Sequence, residues 1–295
     1  MITGATGQVG FPVAKALAVD NEVVAAARFS SQRRRARLEE AGVTCVEADL
    51  ASGDLAKVPK APSYVLNFAV SKSNDWATDL AANADAVGFL MAHCRETRAF
   101  LHCSTTGIYQ PDGHHKFTET DPLGDNHRMS PFLQTYSITK IAGEAVARTA
   151  ARLFDLPTTI ARLSVPYGPS GGWPAIHLDM MVGGMPIEVC EEAPSMYNPI
   201  HEDDVIAHVP RLLEIASVPA TTLNWGGNDA VSIEEWCGYL TELTGVEAKV
   251  EQSPMALPSV QVDLTRQHEL IGPCSVGWRD GMRGMVEARH PELLK

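Results

Sequence analysis

The sequence predicts an α/β fold, a Rossmann-type doubly wound parallel sheet with a smaller C-terminal substrate lobe. Three observations predict it. A glycine-spaced turn, Thr3-Gly4-Ala5-Thr6-Gly7-Gln8-Val9-Gly10, stands near the start of the chain. Short apolar runs then alternate with stretches of helical spacing as far as Leu163. Tyr136 and Lys140 stand four residues apart in Tyr136-Ser137-Ile138-Thr139-Lys140. Strand and helix signals alternating at this spacing indicate a mainly parallel sheet with both faces covered.

The elements follow in order. Only Met1, Ile2 and Thr3 precede the glycine turn, so the first strand is read as very short or as lacking a few residues in this numbering. Residues 11–19 carry helical spacing, and residues 23–28, Val-Val-Ala-Ala-Ala-Arg, read as a buried strand. Strand, glycine turn, helix and strand make the opening unit of a doubly wound sheet. Residues 45–50 read as a third strand carrying Asp49, and residues 64–70 as a fourth. A helical stretch over 76–95 leads into a fifth strand, 100–105, that ends in hydroxyls. Residues 136–153 form the next helix and 158–163 a sixth strand. Past Pro166, proline and glycine cluster through Tyr167-Gly168-Pro169-Ser170-Gly171-Gly172-Trp173-Pro174. Residues 1–165 are therefore expected to be the dinucleotide-binding domain, and 166–295 mainly a substrate-binding lobe with segments returning to the sheet.

Composition excludes several classes. A net charge of −12 argues against nucleic acid or an anionic membrane as the main partner. No window approaches the run of about 20 apolar residues that a membrane helix needs. The six cysteines are scattered without a Cys-x-x-Cys pair, which fits reduced thiols in a cytoplasm. The histidines do not group at metal spacing, and Asp203-Asp204 has no further acidic neighbour in sequence, so no metal is expected. The basic run Arg33, Arg34, Arg35 and Arg37 reads mostly as a solvated helix face.

The chemistry rests on the two motifs together. Gly4, Gly7 and Gly10 suit a tight turn, close backbone approach to a pyrophosphate, and packing of helix on strand. Backbone N–H groups along Thr6, Gly7, Gln8, Val9 and Gly10 then face the phosphates. At the end of the second strand a site for NAD needs a carboxylate, and this chain has Arg28. A guanidinium there suits a 2′-phosphate, with Arg33 or Arg34 closing the other side, so NADP is expected rather than NAD. On a helix, Lys140 shares a face with Tyr136, and its charge favours the phenolate. A tyrosine tuned in this way can pass a proton to a carbonyl oxygen or take one from an alcohol. Ser104 and Thr105 offer hydroxyls at a strand end, where such sheets present ligand contacts.

These residues resemble the extended short-chain dehydrogenase/reductase family, also called the NAD-dependent epimerase/dehydratase group. The resemblance rests on Thr3-Gly4-x-x-Gly7-x-x-Gly10, Asp49-Leu50, Asn67-Phe68-Ala69-Val70 and Ser104-Thr105-Thr106-Gly107-Ile108-Tyr109. It continues through Tyr136-x-x-x-Lys140, Arg162 through Pro169, and Ile200-His201-Glu202-Asp203-Asp204-Val205. It implies that Asp49 and Leu50 contact the adenine, and that Phe68, Ala69, Val70 and Pro166 line the cofactor. It implies Thr105 as the catalytic hydroxyl, Tyr136 as acid/base, and Lys140 as a ribose ligand as well as an electrostatic partner. It also implies a homodimer through the helices that begin near Trp76 and Tyr136, with Ala142, Ala145 and Val146 as a small apolar stripe.

Two departures bear on substrate. Val165 stands where nucleotide-sugar members carry Asn, and Tyr197 where they carry Arg before the aligned Ile200-His201 run. A diphosphate without its arginine loses a charge-assisted bond of about 1.5–3 kcal/mol. The sequence therefore predicts a smaller carbonyl, alcohol or sugar-like substrate meeting Ser104, Trp76, Trp173, Met196 and Tyr197. The first functional expectation is an NADP-dependent oxidoreductase of small carbonyls or secondary alcohols. The alternatives are a sugar or nucleotide-sugar epimerase/dehydratase, and an NADP-sensing regulator with no need of the Tyr-Lys pair.

Overall fold

In the computed structural model, which describes residues 1–295, seven strands form one sheet. Their order is Thr221–Trp225, Thr158–Leu163, Ala99–Thr105, Tyr64–Asn67, Ile2–Thr3, Val24–Ala27, Thr44–Glu47. The pairings from Ala99–Thr105 across to Thr44–Glu47 are all parallel. The strand order reverses direction between Ile2–Thr3 and Tyr64–Asn67, the switch point at which doubly wound sheets open a crevice for a ligand.

Two compact units make up the chain. The first comprises Met1–Thr105, Ile138–Arg162 and Ile206–Leu223; the second comprises Thr106–Ser137, Leu163–Val205 and Asn224–Lys295. The first unit buries Val65, Leu90, Met91, Phe100, Ala147, Ala151 and Ile160 in one core. Ala-rich faces make this core possible. Ala147 and Ala151 lie four apart on the helix Tyr136–Leu153 and let it lie close against its neighbours.

Several expected elements prove shorter, each for a local reason. The strand expected over 45–50 stops at Glu47, because the Asp49 side chain accepts the Ala51 N–H at 3.1 Å and turns Leu50–Ser52 into a 3-10 turn. The helix expected over 76–95 is interrupted: Trp76–Leu80 passes into a π-helical segment, Ala81–Asp85, before Ala86–His93 resumes α geometry. The insertion turns Asn83 inward, where it is buried. The glycine turn is tight, as expected. Gly4 has φ +67°, and a Cβ there would run into the Phe68 carbonyl and the Ala69 N–H. Gly10 opens the helix Gly10–Leu17 and lies against the Gly4 carbonyl. Gly7 is exposed, and a Cβ there would come within 3.3 Å of the Gly4 carbonyl oxygen.

The second unit is built of short pairings around an aromatic and aliphatic core. Pro166–Gly168 pairs with Ile200–His201 and Gly171–Gly172, and Met196–Tyr197 pairs with Val231–Ser232. Ile187–Val189 lies beside Val250–Gln252, and Gln261–Val262 beside Lys116–Phe117. The helices Trp173–Val182, Ile233–Thr244 and Trp278–Arg289 bury Leu178, Trp236, Leu240, Met282 and Met285. A reciprocal cap, Ser232 with Glu235, starts the second of these helices.

Candidate active site

In the first unit, the site begins at the carboxyl ends of the central strands. Thr3, Asn67 and His102 are register partners across three adjacent strands, Thr3 beside Asn67 and Asn67 beside His102. The Thr3 hydroxyl donates to Asn67 Oδ1, and Asn67 Nδ2 lies 3.2 Å from His102 Nδ1. With its oxygen taken, Asn67 presents its N–H to the ring, so Nδ1 accepts and the His102 hydrogen sits on Nε2. Burial, and then the charges of Lys140 and Arg148, hold the His102 imidazole well below its ordinary pKa. This polar rung is neutral and lies directly below the switch point.

Lys140 is buried in the second turn of the helix Tyr136–Leu153, and its Nζ donates to the Cys103 carbonyl at 2.8 Å. Its pKa is lowered, chiefly by burial, with the Lys72 ammonium adding to the effect and Cys103 and Glu144 opposing it. Glu144 sits one turn further along and is fully buried. Arg162 grips it with two bonds of 2.9 Å, Nε to Oε1 and Nη2 to Oε2, and Arg148 adds a third at 3.0 Å. Burial pushes the Glu144 carboxyl up, but the bonds and charge of Arg162 outweigh it and hold the pKa below the ordinary value. The pair ties the helix to the strand Thr158–Leu163 and so fixes the height of Lys140.

Asn83 completes this clamp. Its Oδ1 accepts from the Ser71 N–H at 2.7 Å, and its Nδ2 donates to the Ser71 carbonyl at 2.9 Å and to Thr139 Oγ1 at 3.0 Å. The loop after the strand Tyr64–Asn67 is thereby fastened to the residue next to Lys140. Gly143 is needed for this approach, since a Cβ there would collide with the Asn83 carbonyl. The π segment supplies the turn that aims Asn83, a common use of such insertions.

Tyr136 opens the same helix and is half-buried; Ser137 and Thr139 beside it are buried. The helix is continuous from Tyr136 to Leu153, so Tyr136 and Lys140 share one face as the spacing predicts. Thr105 is the last residue of the strand Ala99–Thr105 and is half-buried, with Ser104 buried before it. Of the expected cofactor residues, Gly4 and Gly10 are packed against one another and Gly4 against Phe68–Ala69. Gly7 and Gln8 are exposed along the turn, and Thr6 and Val9 half-buried. Phe68 is buried, Ala69 half-buried and Val70 exposed. Arg28 is exposed immediately after the strand Val24–Ala27, and Arg33 is exposed on the helix Gln32–Glu40. The rest of the basic run is surface: Arg35 pairs with Glu39, and Arg37 lies 4.2 Å above the Phe11 ring. Asp49 is exposed and Leu50 half-buried.

In the second unit, Pro166 is half-buried in the strand Pro166–Gly168, and Val165 packs against the core. Tyr197 is buried, and its hydroxyl donates toward the Leu257 and Pro258 carbonyls at 3.2 and 2.9 Å. Trp173 is half-buried with its ring edge-on to Tyr197 at 5.3 Å, and Met196 is half-buried alongside. Trp76, in the first unit, is 48% exposed at the start of its helix.

Sequence reasoning missed Lys72, Asn83, His102 and His127. The signal for Lys72 is its charge a few residues past a strand end at the switch point. The others carry none in sequence, because each depends on what the fold packs against it. No helix is long and apolar enough to cross a membrane.

The NAD dependent epimerase/dehydratase family model matches residues 1–223. An uncharacterized UDP-glucose epimerase of Bacillus subtilis is 22% identical over 86% of this chain and 84% of its own length. A probable UDP-glucuronate 4-epimerase of Rhizobium meliloti is 26% identical over 73% of this chain and 68% of its own. Among solved structures, a UDP-glucuronic acid 4-epimerase of Bacillus cereus in complex with UDP-glucuronic acid and NAD superposes with a TM-score of 0.80. It is 20% identical and covers 97% of each chain, a likeness that shows the Rossmann-type fold.

Proposed function

Because the chain belongs to the NAD dependent epimerase/dehydratase family, we propose that it is an NAD-dependent epimerase of a nucleotide-activated sugar. The observation that carries this reading is the helix Tyr136–Leu153, which sets Tyr136 one turn before a buried Lys140 fixed on the Cys103 carbonyl. The sugar class comes from relatives named as UDP-sugar epimerases, one of them solved with UDP-glucuronic acid and NAD.

The residues fit a dinucleotide. The glycine turn is exposed at Gly7 and Gln8, the helix Gly10–Leu17 begins just behind it, and the switch point lies beside Phe68–Ala69. Thr6 to Gly10 would hold the pyrophosphate, and Asp49 and Leu50 the adenine end. Bound there, the nicotinamide supplies a reversible hydride acceptor. The phenolate of Tyr136 takes the proton of a sugar hydroxyl and later returns it to the same oxygen, so base and acid are one group in one turnover. The buried Lys140 ammonium favours the phenolate. Thr105 donates a hydrogen bond to the same oxygen. In this reading the first unit takes the dinucleotide and the second the sugar.

The expectation of a small, non-nucleotide substrate gives way here. It rested on Val165 and Tyr197 standing where nucleotide-sugar members carry Asn and Arg, and the relatives favour the nucleotide-sugar alternative instead. The NADP preference drawn from Arg28 likewise gains no support from relatives solved with NAD. A second reading, net reduction of a small carbonyl, keeps one specific observation in its favour: Val165 packs into the core and Tyr197 is occupied by backbone carbonyls, so neither offers an anion anchor. Incubation with NAD and a panel of UDP- and dTDP-sugars separates the two. Appearance of the epimer without net NADH supports the epimerase. No inversion of any of them, together with NADPH loss on simple ketones, overturns it.

We also propose a homodimer. Trp76, Leu80 and Phe89 are exposed on one helical stretch and Ile138 on the other, an apolar surface that a second copy would cover. Val146, by contrast, packs inward on Gly88. Sedimentation as a monomer at micromolar concentration would exclude the dimer.

A further inference from the structure

We propose that His127 is the positioning residue of the Tyr136 phenol, acting on it by a ring contact and through Ser137. The catalytic part of this inference rests on the proposed acid/base role of Tyr136. Its geometry lies wholly within the second unit.

The Ser137 hydroxyl donates its one hydrogen to the Gly107 carbonyl at 2.6 Å. Its oxygen must then accept from everything else near it. Two groups of His127 are there, Nδ1 at 2.7 Å and the backbone N–H at 3.2 Å. The neutral His127 ring therefore carries its hydrogen on Nδ1, and its orientation is set by Ser137. The same ring lies edge-on to the Tyr136 ring, with centroids 4.9 Å apart and planes at 70°. That is the favoured arrangement of two aromatic rings.

Gly107 closes the other side. A Cβ at this position would stand 2.5 Å from His127 Cε1, so the imidazole rests directly on the backbone two residues past Thr105. His127, Ser137 and Gly107 are all buried, whereas Tyr136 is half-exposed. A half-exposed tyrosine at a helix start has freedom to swing, and a phenol that must face one substrate oxygen cannot use that freedom. His127 removes it. The imidazole, wedged between Gly107 and the phenol, sets the ring, and Ser137 pins the first helical turn that carries it.

Three variants separate the parts. His127→Phe keeps an aromatic ring but loses the bond to Ser137. His127→Asn keeps an N–H at the place of Nδ1 but loses the ring, and Gly107→Ala pushes the imidazole toward Tyr136. Each is expected to lower kcat about 10- to 100-fold, the range that a misplacement of about 1 Å gives. KM and NAD affinity should stay within about twofold, because the lesion lies in proton transfer. A readout independent of any substrate is the phenolate absorbance of Tyr136 with NAD bound, taken as the difference from Tyr136→Phe. In each variant its midpoint should move up toward the ordinary value of about 10. Because this titration needs no turnover, it decides the inference even if no sugar is inverted by the native protein. An unchanged phenolate midpoint in His127→Phe and His127→Asn would overturn the proposal. So would a loss confined to thermal stability, with kcat retained.

Discussion

Acidification should weaken the second unit through one histidine. His177 is buried on the helix Trp173–Val182, where its Nδ1 accepts the indole N–H of Trp236 at 3.0 Å and its ring stacks on that indole. Indole nitrogen is only ever a donor, so Nδ1 must be unprotonated. Burial holds the imidazole down to about 4, against an ordinary 6.5. The sign follows from proton counting. Between pH 6.5 and about 4 the unfolded chain binds a proton that the folded one refuses, so stability falls as pH falls through this window. Above 6.5 the histidine contributes no slope. Linkage gives a loss of about 2 kcal/mol by pH 5 and about 3 kcal/mol by pH 4. Beyond the window the penalty stops growing. The assay is urea unfolding at a series of pH values, comparing the native protein with His177→Asn. Asn offers an oxygen near the place of Nδ1 for the indole but does not titrate, so the difference between the two curves isolates the histidine. A difference that is flat from pH 7 to 4, or that favours the native protein more at low pH, would refute the reasoning.

Other expectations follow from the site. Tyr136→Phe should cut turnover by at least about 100-fold, in the range of acid–base catalysis, while the Kd for NAD measured by calorimetry stays nearly the same. Lys140→Ala should lower turnover and also raise that Kd, as the lysine would serve both. Arg162→Met leaves Glu144 buried with Arg148 as its remaining cation and should cost about 3–5 kcal/mol in chemical denaturation. Because the Glu144 pKa is lowered, the stability from this pair is present above the ordinary carboxylate pKa and lost as pH falls through the folded value. Asn83→Ala removes two bonds to Ser71 and one to Thr139 and should reduce protection of the Ser71 N–H from hydrogen exchange. Side-by-side titrations should show NAD binding at least as tightly as NADP; a clear preference for NADP would restore the role first read into Arg28.

The sheet was legible because its signals are local. Apolar runs of four to seven residues, a glycine turn, and helices with period near 3.6 carry their own evidence, and the helix Tyr136–Leu153 and the strand Thr158–Leu163 have the expected ends. Where an expected end is wrong, a side chain competes with the backbone, as Asp49 does in ending a strand. The π segment was not legible, since Ala81-Ala82-Asn83-Ala84-Asp85 reads as ordinary helix and only packing of Gly143 on the Asn83 carbonyl reveals the extra residue. The chemistry of Tyr136 and Lys140 could be read from spacing. What surrounds them could not. His102 and His127 owe their tautomers to partners 35 and 10 residues distant, and no one-dimensional pattern encodes such partners. The substrate was not legible for a related reason, because two missing anchors in sequence do not reveal whether the fold supplies others.

The most direct test of the account follows a single hydrogen. A UDP-sugar deuterated at the carbon to be inverted is incubated with the native protein and bound NAD, and the product is read by NMR. The account predicts that the epimer forms with deuterium still on that carbon and with no net NADH, and that Tyr136→Phe yields neither epimer nor NADH. Inversion with the label lost to water would contradict the account, as would steady accumulation of NADH with an oxidised sugar left in solution.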